Sequence, residues 1–378
     1  MRILIFNWRD VENPWAGGGE INIHEQAKRW VRWGHSVTML VGGFPKGRPY
    51  ERETVIDGIQ IVRRGGRFSV YLILALHYLR HMRGQYDVVV DVANGVPFFT
   101  PLFCRLPKVV LFHHVHLEQW FIEFPWPAAM LGWFLERWVV RLIYRNVRAI
   151  AISDSTLHEL RRVGLTPDKV SVVHPGLDLR RYDPARSAPI RHRIVHVGRI
   201  KRYKRLDLLI RLVKDLSHEM PDVSLHLAGT GEDADQLKLL AEQEGVADKI
   251  VFRGYVSEDE KRRILEEAYV FVTPSMNEGW GLTVLEANAC GVPAVAYDAP
   301  GLCDSIRSGE TGILVQSADE MAAETLRLFR DEDLRAELSQ EAIRWAACFS
   351  WEKTAGEFLE HLESAETPAV ASVPVHDK

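Results

Sequence analysis

Little in this 378-residue chain points to covalent cross-links, nucleic acid or a bilayer core. Its four cysteines, Cys104, Cys290, Cys303 and Cys348, are irregularly spaced and form no C-x-x-C pair. That excludes a disulfide framework and gives no sign of zinc or thiol redox chemistry, so reduced structural thiols are expected. Basic residues are not in excess: 47 Lys and Arg stand against 51 Asp and Glu, a formal charge of −4. A dedicated nucleic-acid binder is therefore not expected, and any basic patch must be local. Long apolar runs are missing as well. The stretch Val70 to Leu79 ends far short of the ~20 residues that a spanning helix needs. Met1 to Asn7 is apolar only briefly and lacks a small-residue cleavage site, so it reads as a first strand rather than a signal peptide, and the cytoplasm is the expected address. No short repeat is visible.

What remains is ordinary globular composition, 47% hydrophobic and 26% charged, in a chain long enough for two cores. Short β-branched runs alternate with helical patterns. Strands are expected at Arg2 to Asn7, Ser36 to Val41, Tyr86 to Val92 and Lys108 to Phe112, with a helix at Gly19 to Trp33. After the Pro- and Arg-rich stretch Asp183 to Arg193 a second series begins. Its strands are expected at Ile194 to Val197, Ser224 to Ala228, Ile250 to Phe252, Val270 to Thr273 and Ala294 to Ala296. Helices are expected between them at Asp207 to Leu216, Ala234 to Glu244, Ser257 to Ala268 and Leu282 to Cys290. Such alternation predicts an α/β protein of two Rossmann-like doubly wound domains, 1–183 and 184–349. A final helix at about 350–362 is expected to pack back on the first domain, and 363–378 to be a disordered tail. Open parallel sheets bind ligands beyond the carboxyl ends of their strands, so the loops there are the places to search.

The strongest local signal is Asn277-Glu278-Gly279-Trp280-Gly281-Leu282-Thr283-Val284-Leu285-Glu286. Glu278 stands in a Gly-rich turn after a strand, and Glu286 lies inside the helix that begins near Gly281. A helix start offers unpaired amides and partial positive charge to a phosphate, and glycines let backbone approach a ligand. Glu286 sits among Leu285, Ala287 and Ala289, where a carboxylate needs a partner; neighbouring ribose hydroxyls would suit it, and Glu278 could reach a sugar hydroxyl. A basic loop, Gly198-Arg199-Ile200-Lys201-Arg202-Tyr203-Lys204-Arg205, follows the first strand of the second series, where Arg199 and Lys204 can meet a diphosphate. Ala16-Gly17-Gly18-Gly19-Glu20 opens the first helix, although it is not the G-x-G-x-x-G dinucleotide pattern.

Gly17-Gly18-Gly19-Glu20, His174-Pro175-Gly176-Leu177-Asp178, Gly198-Arg199 with Lys204, Ala228-Gly229-Thr230-Gly231 and the Glu278/Glu286 pair, in this order from residue 1 to about 360, resemble the family-4 retaining glycosyltransferases of the GT-B fold. The resemblance implies two Rossmann-like domains facing across a cleft and a nucleotide sugar held mainly by the second. It implies Arg199 and Lys204 on the diphosphate and Glu286 on the ribose. Glu278 and the amides of Gly281, Leu282 and Thr283 would serve the donor sugar and its leaving phosphate. Close backbone approach is expected at Gly18, Gly19, Gly198 and Gly229. No cofactor and no obligatory metal are implied, and no Asp-x-Asp motif is expected beside the nucleotide. A histidine after a strand of the first domain would approach the donor sugar; His113 is indicated, with His114 as close rival. A metal site of His113, His114 and His116 is disfavoured, because adjacent residues of an extended chain point apart.

From Leu117 to Arg148 the chain is aromatic and basic, with Trp120, Trp126, Trp133 and Trp138 among Arg137, Arg141, Arg145 and Arg148. A basic, Trp-bearing amphipathic helix suits an anionic membrane surface, and Phe68 to Arg83 offers a weaker version. The expected activity is hexosyl transfer from a nucleoside-diphosphate sugar to an acceptor hydroxyl, with a lipid-linked or cell-surface glycan precursor as one candidate acceptor and the protein peripheral on the inner face of the membrane. A sugar-nucleotide epimerase on the same architecture is the alternative, distinguished by whether a new glycosidic bond forms. A noncatalytic nucleotide-sugar-binding subunit would not need the full set of Arg199, Lys204, Glu278 and Glu286.

Overall fold

A computed structural model describes residues 1–45, 47–184 and 188–366. The chain divides into two units, one of Met1–Ile152, Leu157–Val173 and the segment from Glu352, the other of Ser153–Thr156 and His174–Trp351.

The first unit is built on an eight-stranded sheet in the order β3-β4-β2-β1-β5-β6-β7-β8. Its strands are β1 (Arg2–Phe6), β2 (Ser36–Val41), β3 (Glu53–Ile56), β4 (Ile59–Arg63), β5 (Val88–Asn94), β6 (Lys108–His114), β7 (Arg148–Ala151) and β8 (Val170–Val172). Ile3, Leu4, Ile5 and Phe6 are all fully buried, as a central parallel strand covered on both faces requires. Every pairing is parallel except β3 with β4. That hairpin turns on Asp57-Gly58, both at positive φ, the twist that a two-residue turn needs. The strand order reverses between β1 and β5, so the loops after these strands flank the switch point where doubly wound sheets take ligands. The Gly18–Arg32 helix follows the first of these loops. Its buried Trp30 donates from Nε1 to the Ala355 carbonyl at 2.9 Å and packs on Phe358 of the Trp351–Glu366 helix.

The second unit holds a six-stranded, all-parallel sheet in the order β11-β10-β9-β12-β13-β14. Its strands are β9 (Arg193–Val197), β10 (Ser224–Ala228), β11 (Ile250–Gly254), β12 (Val270–Thr273), β13 (Ala294–Tyr297) and β14 (Gly312–Val315). The order reverses between β9 and β12. The Arg199–Lys204 loop and the Glu278 turn follow those two strands and thus share the switch point. Apolar clusters lie on both faces, one around Leu209, Val213 and Phe329, the other around Phe271, Ala287 and Leu302.

Two expected boundaries shift. The first domain does not run to 183, because His174–Asp183 belongs to the second unit. Lacking a side chain, Gly176 runs against the backbone of Ser350 and Trp351, and the Leu177 amide donates to the Phe349 carbonyl at 3.3 Å. The expected tail begins too early. Glu363–Glu366 continue the Trp351–Glu366 helix, in which Leu362 is fully buried, whereas 367–378 lie outside the described residues. All four cysteines are free thiols, Cys104 and Cys290 buried and Cys303 and Cys348 exposed.

Candidate active site

Three consecutive loops are stitched together at the carboxyl edge of the second sheet. The Gly198 amide donates to the Ala228 carbonyl at 2.9 Å, the Ile200 amide to Thr230 at 2.9 Å, and the Gly229 amide to Gly254 at 2.7 Å. Gly229 has φ +141°, and a Cβ there would stand 1.8 Å from the Gly198 carbonyl oxygen, so only glycine permits the approach. Beyond Gly198 a short 3₁₀ turn, Arg202–Lys204, brings Lys204 back towards the sheet. The Met276 amide donates to the Tyr203 carbonyl at 3.1 Å and ties that turn to the loop after β12.

The Glu278 turn is braced from both sides. Its amide donates to the Pro300 carbonyl at 3.0 Å. The next turn residue but one, Trp280, is buried against the His174 ring at 4.3 Å and against Phe349 at 5.2 Å. The His174-Pro175-Gly176 motif therefore serves, at least in part, as an anchor for the Glu278 turn. Gly281 takes φ +82° as N-cap of the Leu282–Ala289 helix. The first amides of that helix, Leu282 and Thr283 among them, have no carbonyl of an earlier turn to bond.

These braces bring Lys204 and Glu278 together in a largely buried ion pair from Nζ to Oε1. Burial works to lower the Lys204 pKa, but the Glu278 carboxylate more than offsets it, so the ammonium stays charged. Arg199 is close enough for its charge to act against that ammonium, making the spot strongly cationic but for Glu278. Beneath lies His196 on β9, which the sequence reading passed over as one more residue of an apolar strand. Its Nδ1 lies 3.0 Å from the Val272 carbonyl and its Nε2 is buried without a partner. Burial and then the Lys204 charge push its pKa down to about 4, so the ring is neutral near pH 7. Glu286 is nearly buried, and its Oε1 accepts from Lys261 Nζ at 2.8 Å. Lys261 lies on the Glu258–Glu266 helix, and no local motif foretold this pairing.

The expected residues of the first unit assemble separately. Gly18 opens the first helix, and the Gly17 amide donates to Glu20 Oε2 at 2.8 Å. A Cβ at Gly19 would lie 2.8 Å from Asn94 Oδ1 and 3.3 Å from His113 Nδ1, so the glycine loop rests on the His113 ring. His113 is buried, its Nε2 lies 3.1 Å from Asn22 Nδ2, and burial pushes its pKa down to about 4. His114 turns instead to His116, Nε2 to Nε2 at 3.2 Å. Of the two histidines, His113 is thus the one that borders the glycine loop.

The loop after β6 also rests on two carboxylates. Buried Glu136 accepts from the His116 and Leu117 amides at 2.9 and 2.8 Å and from Trp120 Nε1 at 2.8 Å. Glu159 lies 3.4 Å from the Val115 amide, and burial, with Glu136 adding, pushes its pKa up to about 7 from the ordinary 4.5. The folded protein thus keeps a proton there that the unfolded chain has released. This stabilising term is full below about pH 4.5 and is lost as pH rises through 7. Glu159→Gln is expected to leave urea stability unchanged at pH 4.5 and to raise it at pH 8; equal effects at both values would refute the assignment.

Two sequence expectations need correction. The basic, Trp-bearing stretch expected as an amphipathic helix does not form one regular α-helix around Arg137, Arg141 and Arg145. The Trp126–Phe134 helix passes into a π-helical turn, Leu135–Val140, before Arg141–Tyr144. Asp233-Ala234-Asp235 is an Asp-x-Asp beside the Gly229 loop, contrary to expectation; Asp235 is exposed and pairs with Lys238 at 3.1 Å. Among the described residues, no group of three or more His, Cys, Asp or Glu side chains is arranged to hold a metal ion, and no helix is long and apolar enough to cross a membrane.

Comparison with known proteins matches this architecture. Residues 16–181 match the family described as Glycosyltransferase Family 4, and residues 187–345 match Glycosyl transferases group 1. A D-inositol 3-phosphate glycosyltransferase of Streptomyces scabiei is 28% identical across 96% of this chain and 95% of its own length. That of Streptomyces bingchenggensis is 35% identical, over 55% of this chain and only 50% of the relative. Among solved structures, Anabaena HepE in complex with UDP and glucose superposes with a TM-score of 0.77 at 18% identity, covering 96% of this chain and 100% of that one. With both halves of the chain matched and the two parallel-sheet α/β units in place, the chain belongs to glycosyltransferase family 4 and is a glycosyltransferase with the GT-B fold.

Proposed function

We propose that the protein is a retaining hexosyltransferase that moves a sugar from a nucleoside diphosphate to an acceptor hydroxyl. The observation that carries this reading is the Lys204–Glu278 pair at the β9/β12 switch point, with Arg199 beside it and the start of the Leu282–Ala289 helix on the same loop as Glu278. Cleaving the bond from the anomeric carbon to the phosphate oxygen leaves positive charge on the sugar and adds negative charge to the diphosphate. Cations and amides aimed at the diphosphate therefore stabilise the transition state more than the bound donor. Arg199, Lys204 and the amides of Gly281, Leu282 and Thr283 take that role. Gly198 and Gly229 let the backbone come close, and Glu278 accepts from a donor-sugar hydroxyl. Glu286 accepts from the ribose, and the role proposed for His113, with the Gly18-Gly19 loop and His114 nearby, is at the donor sugar.

Retention follows from attack on the face the diphosphate leaves. The acceptor oxygen bonds to the anomeric carbon as the carbon–phosphate-oxygen bond breaks, and the acceptor proton passes to the departing phosphate oxygen. A glycosyl adduct trapped on a carboxylate of the protein would replace this with double displacement. The reading requires neither a metal nor another cofactor.

An anionic membrane surface is the proposed setting of the acceptor. Trp126, Leu131 and Leu142 are 70, 60 and 66% exposed, and Arg141 and Arg145 are exposed on the same segment, the combination that enters a lipid interface. A lipid-linked glycan precursor is the acceptor class this favours, and the relatives named for D-inositol 3-phosphate add a polyol phosphate to those to be tried. Liposome flotation should show salt-sensitive binding that needs anionic lipid; no binding would remove the membrane element. The test of the whole is a thermal-shift screen of nucleotide sugars, where a ligand at 100 times its Kd adds about 2.7 kcal/mol, followed by NMR of the product anomer. A retained configuration in a new glycosidic bond is expected. An epimerised donor with no transfer would overturn the reading.

A further inference from the structure

We infer that Lys261 is a specificity-determining positioning residue: it occupies one oxygen of Glu286, leaves the other to the sugar hydroxyls of the nucleotide, and so makes the protein select ribonucleoside over 2′-deoxyribonucleoside diphosphates. The inference rests on the proposed role of Glu286 at the ribose.

The placement of Lys261 is fixed locally. Ser257 caps the Glu258–Glu266 helix, its Oγ accepting from the Glu260 amide at 3.2 Å, which sets where the first turn begins. From the end of that turn Lys261 Nζ reaches Glu286 Oε1 at 2.8 Å and Glu258 Oε2 at 2.8 Å, with only 11% of its side chain exposed. Burial works to lower the Lys261 pKa and the two carboxylates more than offset it, so the ammonium is retained.

The other oxygen of Glu286 is the anomaly. Oε2 is buried and has no hydrogen-bond partner. The neighbouring Tyr182 hydroxyl approaches the Glu286 carboxylate without reaching hydrogen-bond geometry, and its pKa is raised by burial, then by the Glu286 and Glu258 charges and by that approach. An ionised oxygen left dry and unpaired costs free energy, and the site recovers it only when a ligand donates there.

Hydrogen-bond polarity decides which ligand. Lys261 and Arg181, whose guanidinium lies 3.9 Å from Glu258, balance the two carboxylates, but a carboxylate oxygen can only accept, so Oε2 is satisfied by a donor and not by the oxygens of a phosphate. The 2′- and 3′-hydroxyls of a ribose are such donors, and a nucleotide with a phosphate on its 2′- or 3′-oxygen is disfavoured. With Oε1 held by Lys261, the carboxylate cannot swing to find another partner. A missing 2′-hydroxyl then leaves Oε2 short of a donor, and a site built to bond a hydroxyl discriminates strongly against the analogue lacking it.

Isothermal titration with UDP, GDP and ADP and with their 2′-deoxy forms tests this on the full chain, using wild type, Lys261→Met, Lys261→Arg and Glu286→Gln. In the wild type, the ribonucleotide that binds should do so at least tenfold tighter than its 2′-deoxy form. Lys261→Met should weaken the ribonucleotide tenfold or more and bring the ratio to within threefold of one, while Lys261→Arg keeps it. Once a donor sugar is found, Lys261→Met should raise its KM and leave kcat within threefold. If Lys261→Met does not fold, Lys261→Gln takes its place with the same expectation. A loss of affinity equal for both sugars, with the ratio unchanged, would make Lys261 merely structural and overturn the inference. Undiminished, undiscriminating binding by Glu286→Gln would instead remove Glu286 from the ribose, and no binding of any of the six would count against the nucleotide reading as a whole.

Discussion

Lys204→Met is expected to lower kcat/KM by 10²–10³-fold, about 3–4 kcal/mol of transition-state stabilisation, with most of the loss in kcat. That is the range for removing one preorganised donor from a site where negative charge develops. The ammonium is buried, already charged and held by the 3₁₀ turn that Tyr203 and Met276 tie to the loop after β12, so little reorganisation accompanies the reaction. The same substitution strands Glu278 without its cation, and breaking a largely buried pair destabilises by about 3–5 kcal/mol. Activity and stability can be separated by adding Glu278→Gln. The double variant should regain much of the thermal midpoint, because neither charge is then left alone, while activity stays as low as in Lys204→Met or falls further. Recovery of activity together with stability would show that Lys204 acts only on the fold.

Gly229→Ala is expected to weaken nucleotide binding and turnover about 10²-fold in a protein that still folds. The new methyl would meet the Gly198 carbonyl oxygen at 1.8 Å, and φ +141° is foreign to alanine. The loop after β9 must move by an ångström or more, carrying Arg199 and Lys204 with it, and displacements of that size cost about 10² in rate when groups must stay aligned. Gly356→Ala is the control, because its Cβ meets nothing within 4 Å and lies inside a helix. It should raise stability by about 1 kcal/mol and leave activity alone. If Gly229→Ala behaved like that control, backbone approach at Gly229 would be irrelevant to the site.

The sequence revealed most where a signal was local and repeated. Ser36–Val41, Ser224–Ala228 and Val270–Thr273 are found as expected, because buried parallel strands are short unbroken apolar runs. The β3–β4 hairpin was missed although Asp57-Gly58 is a strong turn signal, since Glu53, Thr54 and Gln60 interrupt its apolar run and β3 is only half-buried. β7, β8 and β14 were missed as well. The domain boundary was misplaced because the Pro- and Arg-rich stretch looks like a linker. The actual division depends on Gly176 running against Ser350, a contact far apart in sequence. The residues proposed for the second-unit site could be picked out of the sequence because Arg199, Lys204, Gly229 and Glu278 stand in loops or turns after strands and Glu286 in the helix that follows. What surrounds them was not legible. Lys261 is 25 residues from Glu286 on another helix, His196 hides in an apolar strand, and Glu136 and Glu159 acquire their roles from the backbone amides they face.

Arg199, Lys204 and the start of the Leu282–Ala289 helix are proposed to grip the diphosphate of the donor. The decisive measurement is titration of wild type and Lys204→Met with uridine, guanosine and adenosine, each compared with its own 5′-diphosphate. One diphosphate should bind wild type at least 100-fold tighter than its parent nucleoside, and this advantage should shrink to tenfold or less in Lys204→Met. A nucleoside that binds as tightly as its diphosphate, or an advantage that survives the loss of Lys204, would contradict the proposal.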